Sequence, residues 1–299
     1  MNLFQKIPYH LNYLYKTDHL RKEVIRCCRE EAKNADEKKA YELKEVETYL
    51  KKHCFTLFPY DFIKKYDRIT IDVHRDEEGF PYVLRNNRKL FGLKRWSNEE
   101  WRDYYLEIMI EQDKESPHCY ISDDRRLPKK GDVIADVGGA EGFFALDHVE
   151  NAGRIYIFEC SEEWQQPLKK TFEPWKDKVE IIKKYISKED DDDRNYVSLD
   201  TFFDGKQLDY IKADIEGAEI DMLKGGEKTF TEKISKALLC AYHNQSDEEE
   251  INKYLDEYGF EHEPSHGFML MALEYLNGDK ESFKPPFLRR GVIYGGTIR

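Results

Sequence analysis

The sequence has no apolar run approaching the roughly 20 residues that carry a helix across a bilayer, so a membrane-spanning helix is not expected. Its first residues, Met1-Asn2-Leu3-Phe4-Gln5-Lys6, lack the basic and long apolar stretches of a secretory leader, and the expectation is a cytoplasmic protein. No C-x-x-C pair occurs. Cys27, Cys28, Cys54, Cys119, Cys160 and Cys240 are scattered and have no histidines at zinc spacing, which argues for buried or half-buried thiols in a reducing compartment over a disulfide framework or a zinc site. A positive excess is also missing: 48 Lys and Arg face 60 Asp and Glu over 299 residues, a net charge of -12. Sequence-independent nucleic-acid binding works through phosphate neutralisation, so an acidic chain argues against it.

Hydrophobic residues make up 40% of the chain, including 17 Phe and 20 Tyr, enough for a substantial core. The charge is uneven. Residues 1–130 hold 27 basic and 24 acidic side chains, whereas 131–299 hold 21 and 36. The pattern of elements changes near the same point. Upstream, Leu20, Val24, Ile25 and Cys28, then Ala40, Leu43, Val46, Tyr49 and Leu50, repeat at helical spacing and predict two helices. Arg68–Val73 alternates like a strand, with Tyr82–Arg85 as its return and turns at Glu78-Gly79 and Asn86-Asn87. Trp96–Gln112 reads as a helix opened by a Ser97/Glu100 capping box. Downstream, Val133–Val137, Arg154–Phe158, Val179–Ile182, Leu208–Ala213 and Lys236–Tyr242 are short β runs separated by helical stretches, which predicts a mainly parallel sheet covered on both faces. Phe268–Leu273 and Gly291–Tyr294 are candidates for an antiparallel edge pair. The expected division is an accessory region, 1–125, and a ligand-binding α/β domain, 126–299.

Three segments carry chemistry. The first, Asp136-Val137-Gly138-Gly139-Ala140-Glu141-Gly142, joins the first of these strands to a helix, where open α/β sheets bind their ligands. It does not satisfy the dinucleotide spacing G-x-G-x-x-G. It fits the acidic-x-Gly-x-Gly-x-Gly pattern of S-adenosylmethionine (SAM) binding, with Ala140 in the middle place. The second is Glu159, at the end of the next strand, suited to accept hydrogen bonds from two ribose hydroxyls. The third is Asp214-Ile215-Glu216-Gly217, where two neighbouring carboxylates at a strand end call for a cation, a metal or a proton. His243 ends the fifth strand, and an imidazole suits a general base.

The glycine loop, Ile211-Lys212-Ala213-Asp214-Ile215-Glu216-Gly217-Ala218-Glu219, and the preceding Val197-Ser198-Leu199-Asp200 resemble the FkbM family of SAM-dependent methyltransferases over about 130–245. Ser116-Pro117-His118-x-Tyr120 resembles a subgroup with an added amino-terminal region. The resemblance implies a Rossmann-like class I methyltransferase fold with a seven-stranded sheet, and O-methylation of a sugar or glycan hydroxyl. It also implies SAM binding by Asp136, Gly138, Gly139, Ala140, Glu141, Gly142, Glu159, Cys160, Ile186, Ser187 and Asp214. His243 or Asp214 is the expected base, with Glu216 positioning substrate or closing the cofactor site; a divalent ion on Asp214 and Glu216 is an open alternative. The alternatives are a SAM-fold binding protein without catalysis and an NAD-linked oxidoreductase. Basic clusters at Arg85, Arg88, Lys89, Lys94 and Arg95 suggest an anionic acceptor.

Overall fold

The computed structural model describes residues 11–271 and 285–297. Helices α1 (Leu11–Glu31) and α2 (Glu37–Leu50) form where the apolar spacing places them, and Asp36 caps α2 by accepting the Lys39 N–H at 2.8 Å. Their shared stripe of Val24, Cys28, Leu43, Val46 and Leu50 packs on Phe268, Leu270, Phe287 and Leu288 from the far end of the chain. A small antiparallel sheet follows, with β1 (His74–Arg75), β2 (Pro81–Arg85) and β3 (Arg88–Phe91). Asn86 and Asn87 turn between β2 and β3 with φ of 50° and 62°, the left-handed pair that a two-residue hairpin requires. The expected strand Arg68–Val73 does not form. Ile71 and Val73 pack sideways on the core, so alternation meets their burial without a partner strand to supply hydrogen bonds. Helix α3 (Asn98–Glu111) carries the expected capping box: Ser97 Oγ accepts the Glu100 N–H at 3.1 Å, and Glu100 accepts the Ser97 N–H at 2.7 Å.

The second half alternates as expected. In chain order come β4 (Val133–Val137), α4 (Phe143–His148), β5 (Arg154–Phe158), α5 (Glu162–Phe172) and β6 (Val179–Ile182). A short parallel pair, β7 (Tyr185–Ile186) and β8 (Tyr196–Val197), precedes α6 (Leu199–Phe202), β9 (Tyr210–Ala213), α7 (Glu219–Lys224), α8 (Glu227–Glu232), β10 (Lys236–Cys240) and α9 (Asp247–Glu257). The chain closes with β11 (Phe260–Pro264), β12 (Met269–Leu270), β13 (Leu288–Arg289) and β14 (Val292–Thr297). Seven strands make one sheet in the order β11-β14-β10-β9-β4-β5-β6, parallel except for β14, which runs against both neighbours. Successive residues of the central strands alternate between two cores: Ile134, Ile155 and Leu238 pack toward Phe144 and Leu168, and Ala135, Ile211 and Leu239 toward Leu199 and Met222. Val137, Phe158 and Ala213 lie in register, so β4, β5 and β9 end together.

The tail pairs differently from the sequence expectation. Met269–Leu270 pairs with Leu288–Arg289 in a separate ribbon, while Val292–Thr297 enters the main sheet; residues 272 and 273 of the expected strand lie outside the described residues. The outer strand Phe260–Pro264 was not expected, because Glu261, His262 and Glu263 lack an apolar alternation and the edge position does not demand one.

The amino-terminal helices are fastened to the carboxyl-terminal segment by charge. Buried Glu42 accepts the Arg290 Nη1 proton at 2.7 Å and the Gly267 N–H at 3.2 Å, and Arg290 lies over the Phe268 ring at 4.0 Å. Removing one partner of a buried ion pair leaves the other uncompensated. Glu42→Ala should therefore destabilise the protein by about 3 kcal/mol in denaturant unfolding. A loss below about 1 kcal/mol, the range of exposed pairs, would mean that this contact does not hold the two regions together.

Candidate functional site

The loop after β4 is shaped by close backbone approach. Gly138 has φ of 75°, and a Cβ there would overlap the Asp214 carbonyl oxygen; a Cβ on Gly139 would run into the Ile157 side chain. The N–H groups of both glycines donate to the Phe158 carbonyl, at 2.9 and 3.1 Å. Ala140 follows at φ of 44° and presents its N–H to Glu159 Oε2 at 2.8 Å, while the Ser161 N–H donates to Glu159 Oε1 at 2.7 Å. Burial raises the Glu159 pKa above the ordinary range despite these hydrogen bonds. Glu159 is thus a fixed carboxylate at the end of β5.

Asp136 lies beneath this loop and not in it. It is fully buried, and its Oδ1 sits 3.0 Å from Lys212 Nζ, which also donates to the Gly138 carbonyl at 2.7 Å. Burial would lower the Lys212 pKa, but the charges of Asp136 and Asp214 outweigh it and the pKa is raised. The acidic place of the motif is therefore a counter-ion that fixes the loop from below, and Asp136 does not reach the cleft.

Asp214, at the end of β9, is surrounded by donors. Tyr120 donates to its Oδ2 at 2.6 Å and Tyr242 to its Oδ1 at 3.0 Å; His118 Nε2 lies 3.4 Å from Oδ2 and His243 Nε2 3.4 Å from Oδ1. Burial alone would raise its pKa, but the His118 hydrogen bond and the charges of His243 and Lys212 hold it well below the carboxylate range. A carboxylate so stabilised as an anion is a poor proton acceptor. His243 is enclosed by carboxylates: Nδ1 is 3.1 Å from buried Glu219 Oε1, and Nε2 faces Asp214 and, at 4.0 Å, Glu216. Burial works against its charge, yet Glu219, Asp214 and Glu216 lift its pKa to about 9. His243 thus supplies positive charge beside Asp214, while Glu216 is 95% exposed. Among the described residues, side chains with potential metal-ligand atoms within 4.8 Å of one another are His118, Asp214 and Cys240, and Asp214, Glu219 and His243, so Glu216 belongs to neither group.

These elements border one cleft of about 820 Å³ at the carboxyl ends of β4, β5 and β9, within the usual range for a small-molecule site. Of the residues anticipated from sequence, Gly138, Gly139, Ala140, Glu141, Glu159, Cys160, Ile186, Asp214 and Glu216 line it. Glu141 accepts the Tyr104 hydroxyl proton at 2.8 Å, and burial raises its pKa to about 7. Gly142 caps α4 with φ of 86° and packs on Phe172 and Leu168. Ser187 does not line the cleft; its N–H donates to the Val197 carbonyl and its own carbonyl packs on Gly225. His243 lies behind Asp214 and Tyr242. Sequence reasoning missed Lys212, Glu219 and Tyr242, and two cleft carboxylates on α3, Glu107 and Glu111. Their spacing of four along a capped helix was the available signal. The basic clusters are engaged with neighbours: Arg85 Nε donates to Asp147 at 2.7 Å, Arg88 lies 3.9 Å from the same carboxylate, and Arg95 pairs with Glu163 at 2.8 Å. Lys89 lies over the Tyr82 ring and Lys94 over the Phe80 ring.

A parallel sheet with one reversed strand next to its edge, and a glycine-rich turn at the switch point between β4 and β9, define a Rossmann-like methyltransferase fold. The model of the methyltransferase FkbM domain matches residues 97–274, and the chain belongs to that family. Similar solved structures include a methyltransferase FkbM from Methylobacillus flagellatus KT, with 18% identity and a TM-score of 0.44. That alignment covers 56% of this chain and 44% of the other, so the match spans less than half of that protein. A precorrin-6y C5,15-methyltransferase from Geobacter metallireducens GS-15 aligns at 10% identity and TM-score 0.39, over 57% of this chain and 82% of the other. A ribosomal protein L11 methylase from Lactobacillus delbrueckii subsp. bulgaricus aligns at 16% and 0.37, over 58% and 74%. No curated protein matches the chain in sequence. No helix among the described residues is long and apolar enough to cross a membrane.

The His243 cage makes stability depend on pH. Its pKa rises from 6.5 to about 9 on folding, so its contribution is complete below pH 6.5 and is lost as pH climbs through 9. The wild type should lose about 3 kcal/mol of unfolding free energy over that window beyond any change seen in His243→Gln. Parallel curves for the two proteins, measured by urea unfolding, would show that the cage does not hold a proton.

Proposed function

We propose that the protein transfers the methyl group of SAM to a hydroxyl of a sugar or glycan. The observation that supports this most is the convergence of the Gly138–Ala140 loop, Glu159 and Asp214 on one cleft at the switch point of the sheet. A nucleoside needs a close backbone and a carboxylate for its ribose, and both stand at adjoining strand ends. When bound, SAM supplies an electrophilic methyl group on a sulfonium. Glu159, oriented by the Ala140 and Ser161 N–H groups, accepts the ribose hydroxyl protons, and Cys160 and Ile186 border the adenosine end. Methyl transfer is an in-line displacement, so alignment supplies much of the rate.

The remaining task is the proton of the acceptor hydroxyl. Asp214 is too stable as an anion, and His243 faces carboxylates instead of the cleft. His118 is the better placed base. It is 3% exposed, lines the cleft, directs Nε2 at Asp214, and leaves Nδ1 without a hydrogen-bond partner. With the Nε2 proton aimed at Asp214, Nδ1 keeps a lone pair for the acceptor. Asp214 then positions His118, and Glu216, at φ of 56° and almost fully exposed, stands at the cleft mouth. Because Glu107, Glu111, His118 and Tyr120 all precede β4, we assign the acceptor side to the region before residue 126.

Labelled SAM offered with nucleotide sugars, polysaccharides and lipid-linked glycans should give a methylated product. His118→Gln should lower kcat by about 100-fold, in line with loss of a general base, and leave affinity for S-adenosylhomocysteine within about twofold. Unchanged turnover in that variant would remove His118 from the reaction, and no transfer to any hydroxyl would sink the proposal as a whole.

A further inference from the structure

The cleft has an unusual electrostatic character. Among the described residues that line it, seven are acidic and three are basic, and each basic one already has a carboxylate near it. Lys212 pairs with Asp136, Arg95 with Glu163, and Lys184 lies 3.6 Å from Asp192. Such a lining repels an anion and favours a cation.

Part of that acidity has no partner. Glu107 and Glu111 stand one turn apart on α3, on the side that faces the cleft. Among the described residues the Glu107 side chain makes no hydrogen bond or ion pair, and that of Glu111 has only His118 Nδ1, at 3.7 Å. Burial and the repulsion of Glu111 and Asp103 lift the Glu107 pKa to about 7, and burial raises that of Glu111. Two half-buried carboxylates side by side repel one another, and the single imidazole at 3.7 Å from Glu111 does not reach Glu107 by any hydrogen bond or ion pair. Beside them, buried His118 Nδ1 also lacks a hydrogen-bond partner. With the Nε2 proton directed at Asp214 and the two carboxyls ionised, all three groups accept hydrogen bonds, and a ligand that donates and carries positive charge would favour that ionised form.

Resting on the methyl-transfer reading, we propose that the acceptor carries a protonated amine, held by Glu107 and Glu111 while its neighbouring hydroxyl lies at His118. An amino sugar has this chemistry: an ammonium group one or two carbons from a hydroxyl. An ammonium is opposite in charge to the anion that the amino-terminal basic clusters suggested; Arg85, Arg88 and Arg95 are paired with Asp147 and Glu163, and Lys89 and Lys94 lie over aromatic rings.

The test uses the full chain loaded with S-adenosylhomocysteine, so that the cofactor end of the cleft is filled. Glucosamine, N-acetylglucosamine and glucuronate, one ring with a cationic, a neutral and an anionic substituent, are titrated as probes. Glucosamine should bind about tenfold tighter than N-acetylglucosamine, and glucuronate weakest. The double variant Glu107→Gln/Glu111→Gln should lose this preference and keep its S-adenosylhomocysteine affinity within about twofold. Equal or stronger binding of the neutral or anionic sugar, no saturable binding of glucosamine, or a preference that survives the double variant each overturns the proposal. Loss of S-adenosylhomocysteine affinity in the double variant also overturns it, by assigning the carboxylates to the cofactor. Failure of the wild type to bind S-adenosylhomocysteine would instead bring down the methyl-transfer reading.

Discussion

One carboxylate organises the site. Asp214 emerges from β9 into a shell of two phenols and two imidazoles, and each comes from a segment that must be placed for the cleft to exist. Tyr120 and His118 belong to the approach to β4, and Tyr242 and His243 to the exit of β10. Burying an anion is costly unless it is paired and hydrogen-bonded, so the shell and the carboxylate stabilise one another. Immediately behind it, the Lys212–Asp136 pair fixes the glycine loop through the Gly138 carbonyl. The backbone of Asp214 is in turn what forbids a Cβ at position 138. The glycine loop and the Asp214 shell are thus tied together through Lys212 and the close backbone contact between the ends of β4 and β9.

The parallel core was legible because its strands are short, continuously apolar and separated by helices, a pattern set by burial on both faces. What was not legible depends on partners distant in sequence. Arg68–Val73 alternates correctly but finds no strand to pair with, and the polar Phe260–Pro264 becomes an edge strand because β14 lies beside it. The site shows the same division. Glu159 and the glycine loop were readable because strand and turn fix their direction. Asp136 lies beneath the loop and Ser187 outside the cleft lining, since a motif gives spacing but not the layer in which a residue ends up. His243 was anticipated as a base from its place at a strand end; only its contacts with Glu219 and Asp214 reveal that it is caged. His118 lies 96 positions before Asp214, and no local pattern links them.

Net charge misled in an instructive way. The accessory region is richer in basic residues, yet Arg85, Arg88 and Arg95 meet Asp147 and Glu163 from the second half. The surplus acidity of the second half is partly neutralised across the junction, while carboxylates from both halves remain in the cleft. Composition counts charges; the fold decides which of them remain available.

The central claim is that this cleft takes an S-adenosyl nucleoside through Glu159 and the Gly138–Ala140 loop. Calorimetric titration of the wild type and Glu159→Ala with S-adenosylhomocysteine, and of the wild type with NAD, tests it most directly. The account predicts saturable binding of S-adenosylhomocysteine at one site, weakened about tenfold or more by Glu159→Ala through the loss of charge-assisted hydrogen bonds, and no binding of NAD. Absence of S-adenosylhomocysteine binding, unchanged affinity in the variant, or tight binding of NAD would contradict it.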